Sequence, residues 1–392
     1  MSEWKKVKLG DYIDVLSGFA YKSKDFSDSG IPVIKIKNVC PPYISLEDLS
    51  YVPNSIAFQN PRYILKKGDV LIAMTGSHIN QIASVVGRVG RVRYDDVTVL
   101  NQRVGKIVNK DDSLSCLDFI YYYLSQYDVK VELAQKAGGA ANQANISPSD
   151  IKNLMIPCPP LEVQHRIATI LSRYDSLIEN YQKQIKLLEE AVQRLYKEWF
   201  VDLHFPGHEN TKIVDGVPEG WTPSKLGQLA EFKRGKTITK KDAVEGTIPV
   251  VAGGLEPAYY CSRSNTAERV ITVSGSGANA GFTRMYFERV WASDCSFVDA
   301  STTPFLHFVY CYLKDNKTTI DNMQKGAAQP HVYAKDINSL EISIPVESIL
   351  KSFEKNVSKY FDTISSLQSQ IRLLTEARDR LLPRLMSGDI KV

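Results

Sequence analysis

Residues 171–195, LSRYDSLIENYQKQIKLLEEAVQRL, and residues 357–381, VSKYFDTISSLQSQIRLLTEARDRL, are the two segments that decide the fold. In each segment apolar and aromatic side chains recur at alternating spacings of three and four residues, which is the heptad pattern of helices that pack along one another. The seam positions are Leu171, Tyr174, Ile178, Tyr181, Ile185, Leu188, Val192 and Leu195, then Val357, Tyr360, Ile364, Leu367, Ile371, Leu374 and Leu381, with Arg378 as the one polar position. We predict that the two seams form an antiparallel coiled coil. The alternative is that each seam packs on its own globular domain.

The two seams belong to a duplication that extends over most of the chain. Trp4, Lys8-Leu9-Gly10, Gly18, Lys24-Asp25 and Ile31-Pro32-Val33 recur 217 residues later as Trp221, Lys225-Leu226-Gly227, Gly235, Lys241-Asp242 and Ile248-Pro249-Val250. The offset then falls to 189 for Phe119, Tyr121, Tyr123 and Leu124, and to 186 for Gln143, Asp150, Ile151, Leu154 and Pro159. A repeat of this kind determines the architecture.

The repeat predicts an α+β fold class in which two pseudo-symmetric mixed α/β domains are joined by two long helices. The predicted boundaries are 1–155 for the first domain, 156–203 for the first helical spacer, 204–220 for a linker, 221–342 for the second domain and 343–392 for the second spacer. The first boundary follows from Ile156-Pro157-Cys158-Pro159-Pro160, because proline is tolerated at the start of a helix and not inside it.

Composition narrows the class of protein. Of the 392 residues 43% are hydrophobic and 23% are charged, and no stretch is apolar enough for a membrane span or a signal peptide, so we expect a cytoplasmic protein. The six cysteines form no CxxC pair, which argues against a zinc site and a disulfide framework. A net charge of +4 is compatible with a polyanionic partner.

Several fragments imitate catalytic or metal motifs without completing them. Arg234-Gly235-Lys236-Thr237 resembles the end of a phosphate-binding loop, but Ala230 stands where that loop needs glycine. Cys40-Pro41-Pro42-Tyr43 places a thiol, a weak acceptor, where amino-methyltransferases use a stronger one. Residues 275–280 fit GxGxxA but are followed by a strand-like segment, and His204 and His208 lie beside Pro206 and Gly207, which disfavours a helical metal pair. These departures favour a binding protein over an enzyme.

Polar side chains that could contact DNA cluster in paired loops of the two halves. Asn and Gln suit adenine, Arg suits guanine, and lysines suit phosphates. The alternative is that these loops are solvated turns. The candidate side chains are Lys22, Lys24, Ser77, His78, Asn80, Gln81, Arg88, Arg91, Arg93, Gln102, Arg103, Asn142, Gln143, Arg234, Lys236, Lys240, Ser276, Asn279, Arg284, Gln329 and His331.

Over nearly its whole length the chain resembles the specificity (S) subunit of type I restriction-modification systems. The resemblance rests on the Trp4-x-x-x-Lys8-Leu9-Gly10 opening, the Gly-rich and Gln-containing loops, the helix entry at 156–164 and the exit Leu195-Tyr196-Lys197-Glu198-Trp199-Phe200. The second helix entry, Pro345-Val346-Glu347-Ser348, lacks the second proline and the glutamine of the first.

This resemblance implies two target recognition domains that each read one half of a bipartite DNA site, with no catalytic centre on this chain. It also implies double-stranded DNA and methyltransferase (M) subunits, two of them, as partners, with restriction (R) subunits as further ones. S-adenosylmethionine would then lie on the M subunits, and ATP and Mg on the R subunits. Because the two domains share little sequence between the repeated landmarks, we expect a non-palindromic target. The rival interpretations are a stand-alone enzyme and a coiled-coil adaptor that does not read bases.

Overall fold

The structure is a computed structural model that describes residues 4–77, 85–138, 144–324 and 330–392. The chain divides into two compact units. Unit 1 holds residues 1–179 and 372–392, and unit 2 holds residues 180–371. Each unit therefore contains one globular domain, part of the helix that follows it, and part of the other long helix.

The globular part of unit 1 is built from short strands with a few helices. The strands are β1 (Lys6–Lys8), β2 (Ile13–Ser17), β3 (Ile31–Ile34), β4 (Val39–Cys40), β5 (Tyr43–Ile44), β6 (Ser50–Val52), β7 (Ile64–Leu65), β8 (Val70–Ala73), β9 (Thr75–Gly76), β10 (Val89–Arg91), β11 (Thr98–Leu100), β12 (Val104–Asn109), β13 (Ala144–Asn145) and β14 (Met155–Pro157). The helices are α1 (Asn54–Ala57), α2 (Leu117–Leu124), α3 (Tyr127–Gln135) and α4 (Pro148–Lys152), followed by the long helix α5 (Leu161–Phe200), which continues into unit 2.

Unit 2 repeats this pattern with fewer strands in the described residues. Its strands are β15 (Ile213–Val214), β16 (Val217–Pro218), β17 (Thr222–Lys225), β18 (Lys233–Arg234), β19 (Ile248–Val251), β20 (Tyr259–Cys261), β21 (Val270–Ser274), β22 (Thr283–Tyr286), β23 (Trp291–Ala292), β24 (Cys295–Asp299) and β25 (Glu341–Ile344). Its helices are α6 (Leu226–Leu229), α7 (Leu306–Asp315), α8 (Lys317–Asn322) and α9 (Ala334–Asn338), followed by the long helix α10 (Glu347–Met386), whose last part lies in unit 1.

The sheets of the two units share one topology. Strands run in the order β2-β12-β8-β10 in unit 1 and β18-β24-β21-β22 in unit 2, and unit 1 adds β5 and β4 at one edge. In the second sheet the order β6-β3-β11 corresponds to β20-β19-β23. The pairs β3-β11 and β19-β23 are parallel, and the pairs β6-β3 and β20-β19 are antiparallel. The structure confirms the pseudo-symmetric α+β fold class.

The two long helices pack against each other in an antiparallel sense. In unit 1 Leu171 of α5 shares a buried cluster with Leu385 of α10, and in unit 2 Trp199 of α5 lies 5.8 Å, between ring centroids, from Phe353 of α10. The same clusters include Phe119 of α2 and Phe308 of α7, so each helix also packs on its globular domain. The two packing modes that the sequence left as alternatives therefore occur together.

One seam position differs from the heptad prediction. Tyr360 is 40% exposed, whereas its neighbour Phe361 is 2% exposed and stacks on His307 at 4.3 Å between ring centroids. The prediction was wrong here because this part of α10 packs on α7 as well as on α5, which turns a wider face of the helix inward. The other seam residues of α10 are buried or half-buried, as are all those of α5.

Candidate nucleic-acid interface

Four segments of unit 1 meet at the ends of its strands and form a surface that we name loop cluster 1. The segments are Gly18–Phe19, Met74–Ser77, Asn101–Arg103 and Asn145. Backbone hydrogen bonds hold them together: Phe19 N donates to Leu100 O at 2.9 Å, and Met74 N donates to Arg103 O at 3.0 Å. The Thr75 hydroxyl donates to Asn145 Oδ1 at 2.8 Å. Strand ends held in this way place loop side chains on a rigid base.

Four corresponding segments of unit 2 form loop cluster 2. They are Gly235–Lys236, Gly275–Asn279, Ser293–Asp294 and Pro330–His331. The hydrogen bonds repeat those of unit 1, since Lys236 N donates to Ala292 O at 2.9 Å and Gly275 N donates to Asp294 O at 3.1 Å. Ser276 and His331 form an antiparallel β-bridge, as Thr75 and Asn145 are antiparallel strand partners in unit 1. The duplication therefore extends to the detailed geometry of the two loop surfaces.

One glycine in each cluster permits the closest backbone approach. A Cβ atom added to Gly18 would lie 2.3 Å from Asn101 O, and one added to Gly235 would lie 2.3 Å from Ser293 O. Such distances are far inside van der Waals contact, so any side chain would push the strand ends apart. This accounts for glycine at both positions of the repeat.

Part of the predicted DNA-contact set lies in these clusters. Ser77, Gln102 and Arg103 belong to cluster 1, and the Gln102 and Arg103 side chains are exposed. Cluster 2 holds Lys236, Ser276, Asn279 and His331, with the exposed Arg234 at the end of the strand that enters it. Other predicted contacts, namely His78, Asn80, Gln81, Asn142, Gln143 and Gln329, lie outside the described residues.

Arg91 and Arg93 lie elsewhere in unit 1, where acidic side chains hold them. Arg91 Nη2 donates to Asp118 Oδ1 at 2.7 Å, and its guanidinium lies 4.4 Å from the ring centre of Tyr121. Arg93 Nη1 donates to Glu179 Oε2 at 3.2 Å, and each arginine side chain is only 18% exposed. This placement favours structural roles for both residues over contact with bases.

The remaining predicted cations are distributed over the surface. Lys22 and Lys24 are exposed at the one-turn 3-10 segment Ser23–Asp25, and Lys240 is exposed in unit 2. Arg88 is half-buried. The pKa of Lys130 is lowered first by the burial of Lys130 and then by the nearby charge of Arg88. Arg284 donates to Leu255 O at 2.8 Å and pairs with Glu256 at 3.4 Å. Their assignment to DNA contact stays a prediction.

In the described part of the chain, the two segments that imitate nucleotide-binding motifs are not followed by a helix. Lys236 and Thr237 follow strand β18 without a helix after them, and residues 283–286 form strand β22 where a dinucleotide fold requires a helix. Among the described residues no group of three or more His, Cys, Asp or Glu side chains is placed to hold a metal ion. No described helix is long and apolar enough to cross a membrane.

Asp294 of the second cluster, which stands where unit 1 has Gln102 and Arg103, is not among the predicted contacts. The hydrogen bonds align Leu100 and Asn101 with Ala292 and Ser293, and Val104 with Cys295, so that unit 2 is one residue shorter here. No residue is identical between these two stretches and their lengths differ, so a search for repeated landmarks could not detect the correspondence. The spacing of glycine and strand before each stretch was the only available signal.

A family model for the type I restriction modification DNA specificity domain matches residues 1–190 and 218–376 of this chain. The chain is also similar to two curated proteins. It is 27% identical to the type I restriction enzyme MjaIX specificity subunit of Methanocaldococcus jannaschii, over 100% of this chain and 94% of that protein. It is 21% identical to the HindI specificity subunit of Haemophilus influenzae, with both chains covered completely.

One solved structure has the same fold. The crystal structure of the type I restriction-modification system S subunit from M. genitalium superposes with a TM-score of 0.60 at 19% sequence identity. The superposition covers 98% of this chain and 96% of that one.

Proposed function

Because the chain belongs to the family of type I restriction modification DNA specificity domains, which makes it a DNA-recognition subunit, we propose that it reads a bipartite, non-palindromic site with a fixed gap. Each of the two units would read one half of the site through its loop cluster. The chain would itself perform no chemical step, and its task would be to choose the DNA on which partner subunits act.

The observation that carries this proposal is the pair of loop clusters with one backbone framework and different side chains. Equivalent hydrogen bonds place Gln102 and Arg103 in one cluster and the single residue Asp294 in the other. Base edges in the major groove are distinguished by their donors and acceptors, so an amide and a guanidinium in one cluster and a carboxylate in the other would select different bases. Two half-sites of different sequence are the expected consequence.

The long helices supply the proposed gap. Helices α5 and α10 are each continuous over 40 residues. Helices of fixed length would fix the number of base pairs between the two half-sites.

The partners follow from the family. We propose that two methyltransferase subunits, carrying S-adenosylmethionine, dock on the helices and methylate adenines in the chosen site. Restriction subunits with ATP and Mg would be further partners, and the complex would work in the cytoplasm, where it meets DNA. The names of the relatives, which are specificity subunits of type I restriction enzymes, support this assignment.

The proposal is tested by mapping methylated adenines in cells that express the chain with the methyltransferase subunits of its own system. Replacing residues 1–155 with the corresponding domain of a relative should change one half of the methylated motif, and replacing residues 221–342 should change the other. A motif that changes in both halves after either exchange would contradict independent reading. Methylation without any sequence motif would favour the adaptor interpretation.

The gap is tested by inserting one heptad into both helices at facing positions. Seven residues add about 10 Å at 1.5 Å per residue, which corresponds to roughly three base pairs of B-DNA. Both half-sites should stay the same while the gap widens by that amount. An unchanged gap would remove the spacer role from the helices.

A further inference from the structure

We infer that Asp294 reads the exocyclic amino group of a cytosine in the half-site bound by unit 2. This inference rests on the proposed function and specifies one contact within it. It depends on the position of Asp294 in loop cluster 2, on the side chains around its carboxylate, and on the donor and acceptor pattern of base edges.

The position of Asp294 is defined by its neighbours in the strand framework. Ser293 N donates to Val251 O at 2.8 Å, as Asn101 N donates to Ile34 O at 3.1 Å in unit 1. The chain therefore leaves the sheet at the same point in both units, and it enters the next strand after Gln102 and Arg103 in unit 1 and after Asp294 alone in unit 2. Gln102 is exposed and Asp294 is half-buried, so both side chains remain accessible from solvent.

Small residues surround the carboxylate of Asp294. Its Oδ2 accepts a hydrogen bond from the Ser276 hydroxyl, which fixes the orientation of the side chain. A Cβ atom on Gly275 would lie 3.3 Å from Oδ1, and one on Gly253 would lie 3.7 Å from Oδ2. Glycine at these two positions leaves space beside the carboxylate that a base edge can approach.

The charge of Asp294 restricts what it can face on DNA. Arg234 and Lys236, at the neighbouring strand end, are exposed cations of the kind that contact phosphates. A carboxylate is repelled by phosphates, and within the described part of the chain no cation forms an ion pair with Asp294. Its favourable partner on DNA is therefore a hydrogen-bond donor on a base edge.

Among the base edges of the major groove, cytosine suits a carboxylate best. Cytosine N4 presents a donor on its own base edge, whereas adenine places the N7 acceptor beside its N6 donor. That acceptor repels a carboxylate and attracts the amide of a Gln, which can donate and accept. Asp294 thus favours cytosine, whereas Gln102 of loop cluster 1 carries the amide that suits adenine.

The test compares methylated motifs made by the full chain with its own methyltransferase subunits. Asp294→Asn preserves the size of the side chain and an oxygen for Ser276. We expect the wild type to prefer cytosine at one base pair by roughly tenfold to a hundredfold, and this variant to prefer it by a few-fold or less. Asp294→Gln, which introduces an amide that can donate and accept, should move the preference at that base pair toward adenine. The half-site read by unit 1 should be identical in all variants.

Glu219→Gln is the matched control, because Glu219 is exposed in unit 2 outside the loop cluster and the substitution removes the same charge. It should leave the motif intact. Thermal unfolding of each purified variant should match that of the wild type, since a folding defect would lower the yield of methylation without changing the motif.

The outcomes separate the inference from the proposed function. A wild-type motif in Asp294→Asn and Asp294→Gln would overturn the inference and leave the bipartite reading intact. A change in both half-sites would also overturn it, by assigning Asp294 a structural role. A wild-type chain that directs methylation to no motif would overturn the proposed function and the inference together.

Discussion

In each unit four corresponding positions of the duplication form a junction between the globular domain and the long helices. The side chains at these positions are ionic or polar in unit 1 and apolar in unit 2. In unit 1 Asp175 accepts hydrogen bonds from Tyr122 at 2.8 Å and from Arg378 at 2.8 Å, and Arg93 Nη2 lies 3.6 Å from the same carboxylate. The corresponding residues of unit 2 are Phe361, Cys311, Val192 and Phe287, which belong to or pack against one hydrophobic cluster.

Burial gives the ionic junction strong interdependence. The Asp175 side chain is 8% exposed and that of Arg378 is 17% exposed. Burial disfavours the charge on Arg378, but its hydrogen bonds to Asp175 and Asp379 outweigh this and raise its pKa. Burial and the adjacent Asp175 carboxylate likewise raise the pKa of Tyr122, which keeps the phenol protonated as a donor. Each group therefore needs the others.

One backbone frame therefore accepts two chemical solutions, which differ in the helix pairings that they allow. An apolar junction stabilises through buried area and tolerates any apolar partner of suitable size. A buried ionic junction adds little net stability, but it penalises every pairing that leaves a charge alone. Asp175 therefore favours pairing of the first half of α5 with Arg378 on the last part of α10 over pairing with an apolar helix face.

The largest effect is expected from placing a single charge in the apolar junction with Phe361→Asp. Loss of the ring costs about 3–5 kcal/mol, and burial of a new carboxylate in this apolar cluster adds to that cost, so unit 2 should not fold stably. Tryptophan fluorescence during urea unfolding reports this, because Trp199, Trp221 and Trp291 all lie in unit 2. Tyr360→Asp, at the exposed neighbouring position, should change stability by less than about 1 kcal/mol. Equal effects of the two variants would mean that the junction is not closed to water.

Removal of the central acid in unit 1 is expected to have the next largest effect. Asp175→Ala leaves Arg378 and Arg93 partly buried without their shared carboxylate, which should lower the free energy of unfolding of unit 1 by about 3–5 kcal/mol. Hydrogen exchange of the α2 backbone amides measures this unit separately.

The control for Asp175→Ala is Asp362→Ala, which breaks the exposed ion pair with Arg269 and should cost no more than about 1 kcal/mol. If the two alanine variants had the same stability, the contrast between an ionic and an apolar junction would have no energetic basis.

The sequence predicted the frame of this comparison but not its chemistry. The heptads and the repeated landmarks predicted two domains and two helices, because periodicity and turn residues depend on local sequence. Arg378 was visible as the polar interruption of the seam. Its partners Arg93, Tyr122 and Asp175 come from three separate segments, and only the folded chain brings them together.

The same limit explains which site residues the sequence could identify. Ser77 and Ser276 were predicted as DNA contacts because they follow strands in loops of small residues, and the structure places both in the loop clusters. Arg91 and Arg93 were predicted from their alternation along a strand, but the surface opposite them consists of acidic and aromatic side chains of unit 1, which the strand pattern does not encode. Asp294 was not predicted because its correspondence with Gln102 and Arg103 lies in backbone hydrogen bonds rather than in residue identity.

An intermediate effect is expected at the start of α5, where the two units again differ. Gln164 is 2% exposed, accepts from Cys116 N at 2.9 Å and donates to Pro159 O at 3.0 Å. Gln164→Ala leaves a buried amide without a partner, so unit 1 should lose about 1–3 kcal/mol by the same hydrogen-exchange measurement. Glu162→Ala, at an exposed position in the first turn of α5, should be nearly neutral.

In unit 2 a different residue of the long helix accepts a backbone hydrogen bond at the start of the domain helix α7. Leu350 stands at the position of Gln164, and Glu354, one turn later, accepts from Phe308 N at 2.9 Å and from His307 Nδ1 at 2.6 Å. Glu354→Ala should therefore destabilise unit 2 by an amount similar to that of Gln164→Ala in unit 1. A neutral Glu354→Ala would show that this end of α7 needs no partner from the long helix.

The smallest effect is expected when the whole ionic junction is exchanged for the apolar one. The fourfold variant Arg93→Phe, Tyr122→Cys, Asp175→Phe and Arg378→Val should unfold within about 2 kcal/mol of the wild type, since well-packed apolar groups replace a buried ionic cluster at little cost. The single variant Asp175→Phe should be several kcal/mol less stable than the fourfold variant, because it leaves both arginines without their carboxylate. Denaturant unfolding followed by hydrogen exchange in unit 1 compares the two. If the fourfold variant were as unstable as the single one, the correspondence of the four positions would hold for the backbone alone, and unit 1 would need its charges for packing as well as for the choice of partner.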